Sequence, residues 1–561
     1  MTEDPSGLST SAGRKMDDFF SRDDTLKSIE TIARADPLVI FVGAGVPASV
    51  GVPTWWQLLE QLLTKAAKAD DLLDTRPARE DYVSALMRTY DPWFLGSLVR
   101  QTFPNTETLS HAIREELYRR RKNLFTADLS TSFVRAVWQL ILTRRVMGRQ
   151  TLVLTTNYDD VLETTFERDQ AFTRAILGEQ TLRVESRTRV FDGDDPDDLV
   201  PIYHLHGFVP RDETKQEDYE IVMSAHDYGR DWSASWSSKV LEKYWNCQWL
   251  FVGMSFTDSH VNFYLNRRGE LRNAAARTPR DRRPIGVFSL QGKDWENFEP
   301  AIRPALVRAE RARLAELEMT PLATDYFFQD AQLLREICLT MRHGAKRKLQ
   351  YASRRADWYK QFLSKRLPEA KPEQTRAFLE GLSEHLRDIR SHVELFRPYD
   401  SAEMFKVEVW CRDIDDRSLF QVASSEFIHN DPRTRARRFS LTTRSRGAAA
   451  VSAFTRAAPD LTSAPTAQEH GRWRAFFAMP ISLGEEPWYD LPVAALVIAS
   501  TAEEGQSCLQ ANQDTLRRQL WGWLPPVWQA LDPTAKFDGP GDSMVKGLLQ
   551  RLPKRKKVVD D

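Results

Sequence analysis

Side chains able to hold and attack a small molecule gather at the ends of four apolar runs in this chain. The run at 151–154 leads into Thr155-Thr156-Asn157-Tyr158-Asp159. The Asn157 amide offers donors and an acceptor without a charge, so it can orient a hydroxyl or a water. Asp159 can bond a hydroxyl or brace the loop that follows Asn157. The segment 201–208, PIYHLHGF, delivers His206-Gly207. Imidazole titrates near neutrality and can take a proton, which makes His206 a candidate base. His204 would face the same side of a strand and is its rival, although the glycine after His206 favours His206. The segment 248–258, QWLFVGMSFTD, carries Gly253-Met254-Ser255. The Ser255 hydroxyl could bond a phosphate, and Asp258 reads as the cap of a following helix. Each group also has a plainer reading. An asparagine can bond its own loop, and a buried histidine can be satisfied by backbone.

Such groups need strands to carry them. The segment 37–56, PLVIFVGAGVPASVGVPTWW, opens with an apolar run that breaks into Gly43-Ala44-Gly45. A run of that kind bounded by glycine reads as a buried strand of a parallel sheet. The glycines let the backbone turn tightly and approach a ligand. A helix expected from about Thr54 would present free N–H groups at its start. In open α/β sheets ligands bind beyond the carboxyl ends of the strands. One polar strand end is commonplace, but four along one chain are hard to explain by packing alone. Trp55 and Trp56 read as packing residues.

In their order, Gly43-Ala44-Gly45, Gly51-Val52-Pro53, Thr-x-Asn-x-Asp at 155–159, His206-Gly207 and Gly253-x-Ser255 resemble the motifs of sirtuin-like NAD-consuming domains. The resemblance covers about residues 15–345. It is closest to the bacterial branch that hydrolyses NAD in anti-phage defence, such as the effectors of Thoeris and related systems. That branch carries Gly-x-Pro followed by a Trp-containing helix, as Pro53-Thr54-Trp55-Trp56 does here.

The resemblance implies an NAD hydrolase that yields nicotinamide and ADP-ribose, acting as an abortive-infection effector. It places Gly43, Ala44 and Gly45 against the pyrophosphate and Asn157 on the ribose or the attacking water. His206 becomes the base, with Asp159 and Ser255 as further cofactor contacts. An unrestrained NAD hydrolase would be toxic, so gating by a nucleotide signal, a phage component or a partner protein is expected, as is a homo-oligomer. An ADP-ribosyl transferase and a non-catalytic sensor of NAD or ADP-ribose are the alternatives.

The sequence departs from the deacylating sirtuins in three places. Those enzymes hold zinc with two Cys-x-x-Cys pairs, whereas Cys247, Cys338, Cys411 and Cys508 form no such pair, so no metal is expected. Gly51-Val52-Pro53-Thr54-Trp55-Trp56 stands in place of Gly-Ile-Pro-Asp-Phe-Arg, which removes the arginine. Pro47 stands where the family usually has serine, removing a backbone donor and a hydroxyl.

With 561 residues the chain is too long for one core, so two or more domains are expected. A formal net charge of -1 gives no general reason to expect nucleic-acid or membrane binding. No apolar run approaches the ~20 residues that cross a bilayer. The polar first residues do not read as a secretory signal. Four scattered cysteines fit a reducing cytoplasm.

The fold expected is α/β, a Rossmann-like parallel sheet domain with a helical insertion, followed by an α+β GAF-like domain. The boundaries read as a disordered leader at 1–19, a catalytic domain at 20–345 with the insertion at about 70–148, and a charged linker helix at 346–371. A GAF-like sensor or assembly domain follows at 372–533, then a disordered basic tail at 534–561. Within the insertion, the charge run Arg119 to Lys122 reads as a solvated helix face. A polar loop is expected at 269–284 and a closing helix at 330–341. In the GAF-like domain, Phe378, Leu382, Leu386, Ile389 and Val393 fall at helical spacing. The runs at 475–481 and 491–500 read as adjacent central strands. Arg433, Arg435, Arg437, Arg438, Arg444 and Arg446 crowd one loop, either solvated or a lid for a phosphorylated signal.

Overall fold

The computed structural model describes residues 19–533, apart from 69–74, 104, 119–132, 192, 194, 216–220, 225, 228–234, 275–282, 291–301, 344–353, 399–400, 414–417, 429–436, 442–448, 458, 464–471, 484–490 and 503–504. The leader, the run Arg119 to Lys122, the basic tail, and Arg433, Arg435, Arg444 and Arg446 lie outside the described residues. The chain divides into two compact units, one spanning Asp23–Gln350 and the other Met1–Arg22 with Tyr351–Asp561.

The first unit is built on seven parallel strands: β1 (Leu38–Val42), β2 (Thr151–Thr155), β3 (Arg183–Arg187), β4 (Leu199–His204), β5 (Gln248–Val252), β6 (Ile285–Ser289) and β7 (Thr320–Thr324). Their spatial order is β3-β4-β2-β1-β5-β6-β7. Every residue of β1, β2 and β5 is buried, as strands covered by helices on both faces must be. At the carboxyl end, Val42 lies level with Thr155 on one side and Val252 on the other, and Thr155 with His204. The four runs singled out by chemistry are therefore four contiguous strands, β4-β2-β1-β5. The order of strands reverses at β1, and such a switch point opens a crevice beyond the strand ends.

β3 and β7 were not anticipated. RVESR is exposed at alternate residues and TPLAT carries a proline, so neither reads as an apolar run. The loop expected from Gly269 is shorter than its composition suggests, because the helix Ser259–Ala274 runs through that glycine. The closing helix is longer than expected, Phe327–His343. The insertion contains the helices Arg76–Thr89, Pro92–Thr102 and Thr106–Tyr118. Its last helix, Phe133–Val146, is buried on nearly every side. Within it the fully buried Arg144 donates to Thr151 Oγ1 and to the carbonyls of Ala35 and Gln150, at 2.8–2.9 Å. That helix belongs to the layer covering the sheet.

The second unit is an antiparallel six-stranded sheet with helices. Its strands are β8 (Phe405–Arg412), β9 (Ser418–Ser424), β10 (Arg438–Ser440), β11 (Asp460–Ser463), β12 (Ala475–Leu483) and β13 (Leu491–Ser500), in the order β10-β9-β8-β13-β12-β11. The helix Pro372–Glu394 buries the anticipated stripe Phe378, Leu382, Leu386, Ile389 and Val393. β12 and β13 do pair with each other. Along β8 the alternate residues Val407, Val409 and Cys411 join the apolar core with this stripe. Trp358, Tyr359 and Phe362, from the charged helix Arg354–Arg366, join the same core. Among the described residues no helix is long and apolar enough to cross a membrane.

Candidate functional site

The floor of the crevice is set by glycine. Gly43 N–H donates to Val252 O and Gly45 N–H to Gly253 O, both at 2.9 Å. A Cβ on Gly43 would lie 2.4 Å from Gly253 O, and one on Gly45 would lie 2.9 Å from the same atom. Gly253 itself has φ +66°. The reason these positions need glycine is thus the approach of the β1 end to the β5 end. Ala44, between the two glycines, is half-buried. The helix Trp55–Ala67 begins where expected, and the Gln57 carboxamide accepts from Thr54 N–H at 2.9 Å. Trp55 meets Tyr158 edge-on, while Trp56 is 43% exposed and so does not pack as expected.

Thr155 ties β1 to the loop after β2. Its hydroxyl donates to Val42 O at 2.8 Å and accepts from Asn157 N–H at 3.0 Å. A small pocket opens here, lined by Val42, Pro47, Thr155, Asn157, Asp159 and His204 among others. The Asn157 amide is half-buried and makes no side-chain hydrogen bond among the described residues. Asp159 is buried, which pushes its carboxyl up to about 7 against the opposing Val161 N–H, and the neighbouring Asp160 pushes it further. Near neutral pH this acid can therefore donate or accept a hydrogen bond.

The two histidines serve different networks. β4 ends at His204, and His206 lies in the turn beyond it, so strand alternation does not carry across to His206. His204 Nδ1 is 3.0 Å from Asn157 O and its Nε2 is 2.8 Å from Glu163 Oε1. Both neighbours are acceptors, so both ring nitrogens donate. Burial disfavours the charged ring, but the Glu163 carboxylate outweighs it and raises His204 above its usual value. Ser186 Oγ also donates to Glu163, at 2.6 Å. His204 thus holds the Asn157 backbone in place. His206 is buried, with Nε2 3.6 Å from Asp258 Oδ2 and its ring edge-on to His260 at 5.9 Å. Burial lowers its pKa, only partly offset by Asp258. At neutral pH it is a neutral imidazole with a carboxylate placed to stabilise the cation it would become.

Asp258 accepts from Val261 N–H at 3.0 Å and caps its helix as anticipated, in addition to facing His206. Ser255 is exposed and pairs with Thr257 Oγ1 at 2.7 Å. The adjacent Phe256 has φ +56°, and its carbonyl accepts from Arg313 at 2.8 Å and Asn262 at 3.1 Å. The structure therefore brings Asn157, Asp159 and His204 into one cavity, sets His206 with Asp258 and His260, and leaves Ser255 outside both groups. Glu163 and His260 were missed. Neither stands in a motif, and each meets its partner histidine across 41 or more residues of chain. Among the described residues no group of three or more His, Cys, Asp or Glu could hold a metal ion.

The His204–Glu163 pair yields a stability prediction. A raised histidine stabilises the fold below its ordinary 6.5, and this contribution is lost as pH rises through the folded value. A lowered glutamate stabilises it above its ordinary 4.5, and this is lost as pH falls through the folded value. Glu163→Ala should therefore cost most between these two pH values, about 3–5 kcal/mol for a buried pair that loses one partner. Urea unfolding across pH checks this, and a loss under about 1 kcal/mol would show that the pair does not hold the turn.

Residues 151–309 match the family model for the SIR2-like domain. The match runs from β2 into the helix Arg303–Glu316 and includes Asn157, Asp159, both histidines and Ser255, while β1 and its glycines lie before it. No curated protein matches the chain. SIR2-like domains bind NAD, and the match supports a sirtuin-like fold with NAD-related activity for the first unit.

Proposed function

We propose that the protein is a gated NAD hydrolase that cleaves NAD to nicotinamide and ADP-ribose as an abortive-infection effector in anti-phage defence. The observation that carries this reading is the contiguity of β4-β2-β1-β5, whose adjacent ends bear His206, Asn157 with Asp159, the glycine turn, and Gly253 with Ser255. The pocket at Asn157 is read as the place of the nicotinamide ring, with the remainder of the dinucleotide along the strand ends. Pro47 and Val42 supply apolar walls for that ring, and Asp159 supplies a hydrogen bond to a carboxamide.

In hydrolysis a water oxygen bonds to C1′ of the nicotinamide ribose. The C–N bond breaks and its electron pair returns to the ring nitrogen, so nicotinamide leaves neutral. The water proton passes to His206, and Asn157 orients the water or the ribose. Gly43, Ala44 and Gly45 would lie along the pyrophosphate. The depressed pKa of His206 keeps it a competent base to pH values below the ordinary 6.5. The second unit is read as a GAF-like sensor or assembly domain that restrains the first.

Purified full-length protein incubated with NAD is expected to release nicotinamide and free ADP-ribose, as mass analysis would show, and a chelator should leave the rate unchanged. ADP-ribose found on an acceptor would make it a transferase. Intact NAD under every condition, including extract from infected cells, would reduce it to a binding module. Loss of activity on chelation would contradict the absence of a metal requirement.

A further inference from the structure

The face of the second sheet turned away from the helix Pro372–Glu394 carries an unusual set of side chains. Where β8 sends Val407 and Val409 to the core, Lys406, Glu408 and Trp410 alternate to the other side. They line a small, partly open pocket together with Arg437, Phe439 and Trp473. Lys406 and Glu408 are each only 4% exposed, and Lys406 Nζ lies 2.7 Å from Glu408 Oε1. Gln421 Nε2 donates to the same oxygen at 2.8 Å, and Trp410 Nε1 donates to Oε2 at 3.3 Å. The Lys406 ammonium stands 5.0 Å from the centre of the Trp473 ring. Trp410 stacks on Phe439 at 4.5 Å. Arg437 is exposed.

A buried ion pair is a poor way to stabilise a sheet, since apolar residues of the same volume often do better. Its presence in a cavity walled by indole and phenyl rings points to a ligand. The walls select a flat ring. Two cations against one carboxylate leave a net positive charge. Only one of the three Lys406 donors is committed to Glu408.

We propose that this cavity binds a planar aromatic anion, its ring against the Trp410–Phe439 stack and Trp473 and its anionic group between Lys406 and Arg437. The site belongs to the second unit and does not depend on NAD chemistry in the first.

The test is calorimetric titration of the full-length protein with indole-3-carboxylate and benzoate, against neutral indole and cationic tryptamine. At least one of the anions should bind, and indole-3-carboxylate at least tenfold more tightly than indole. Arg437→Ala should weaken the best anion about tenfold. Lys406→Met alone would strand Glu408 and could unfold the domain, so the double variant K406M/E408Q is used, with a thermal melt to establish folding. It should erase the preference for anion over indole. Asn157→Ala should bind as the parent does. The proposal is overturned if no anion binds at millimolar concentration or if indole equals its carboxylate. It is equally overturned if both variants keep the preference, or if Asn157→Ala abolishes binding, which would move the site to the first unit.

Discussion

Alanine at Asn157 or at His206 is expected to lower NAD turnover by about 10²–10⁴-fold, the usual contribution of a positioned proton acceptor and its partner. The two side chains act at different points. Removing the Asn157 amide leaves its backbone pinned by Thr155 and His204, so the loop should keep its course. Removing the His206 ring takes away the only proton acceptor assigned to the reaction and leaves Asp258 still capping its helix. Both variants should therefore fold, with melting curves close to the parent. His206→Gln keeps a polar group but cannot take up a proton, and should be as inactive as alanine. NAD loss at the parent rate in folded Asn157→Ala and His206→Ala would refute the site assignment.

The second large effect is structural. Gly43→Ala places a methyl group 2.4 Å from Gly253 O and 2.5 Å from Met254 Cγ. The carbonyl is backbone in β5's own continuation, so it cannot swing aside as a side chain can. Overpacking ordinarily costs about 1–3 kcal/mol, and a clash against backbone should reach or exceed the top of that range. Gly253→Ala meets Val46 N at 2.7 Å and adds a left-handed φ, so it should cost at least as much. Against a total stability of about 5–15 kcal/mol, either change should sharply lower the unfolding midpoint. Gly505→Ala is the control, because it shares the positive φ but meets nothing within 4 Å. An unfolding midpoint for Gly43→Ala equal to the parent's would show slack between β1 and β5.

The strands that build the crevice were legible because burial on both faces leaves a mark: LVIFV, TLVLT and QWLFV contain almost nothing but apolar residues. The edge strand RVESR leaves no such mark, since half of its side chains face water. The glycines at 43 and 45 were legible as a tight turn, but their cause was not, because the obstacle lies on a strand about two hundred residues downstream. Asn157 and the histidines stood out by type. Their division into two networks did not, because it depends on where β4 stops and on Glu163, which only the folded chain brings to His204. In the second unit the helical stripe from Phe378 to Val393 was plain in the spacing. The Lys406–Glu408 pair on β8 was hidden inside a strand that otherwise reads as core.

The position of β1 also has a consequence for synthesis. Its last residue, Val42, pairs with Thr155 and with Val252, both far downstream in the chain. Contacts this distant in sequence form late and slowly. A nascent chain that stops short of Val252 has no partner for the glycine turn and no Gly253 to close against. The crevice cannot exist until Val252 and Gly253 have been made. If the protein is as dangerous to its host as an unrestrained NAD hydrolase would be, then the order of its strands delays the danger until β5 and Gly253 have joined β1.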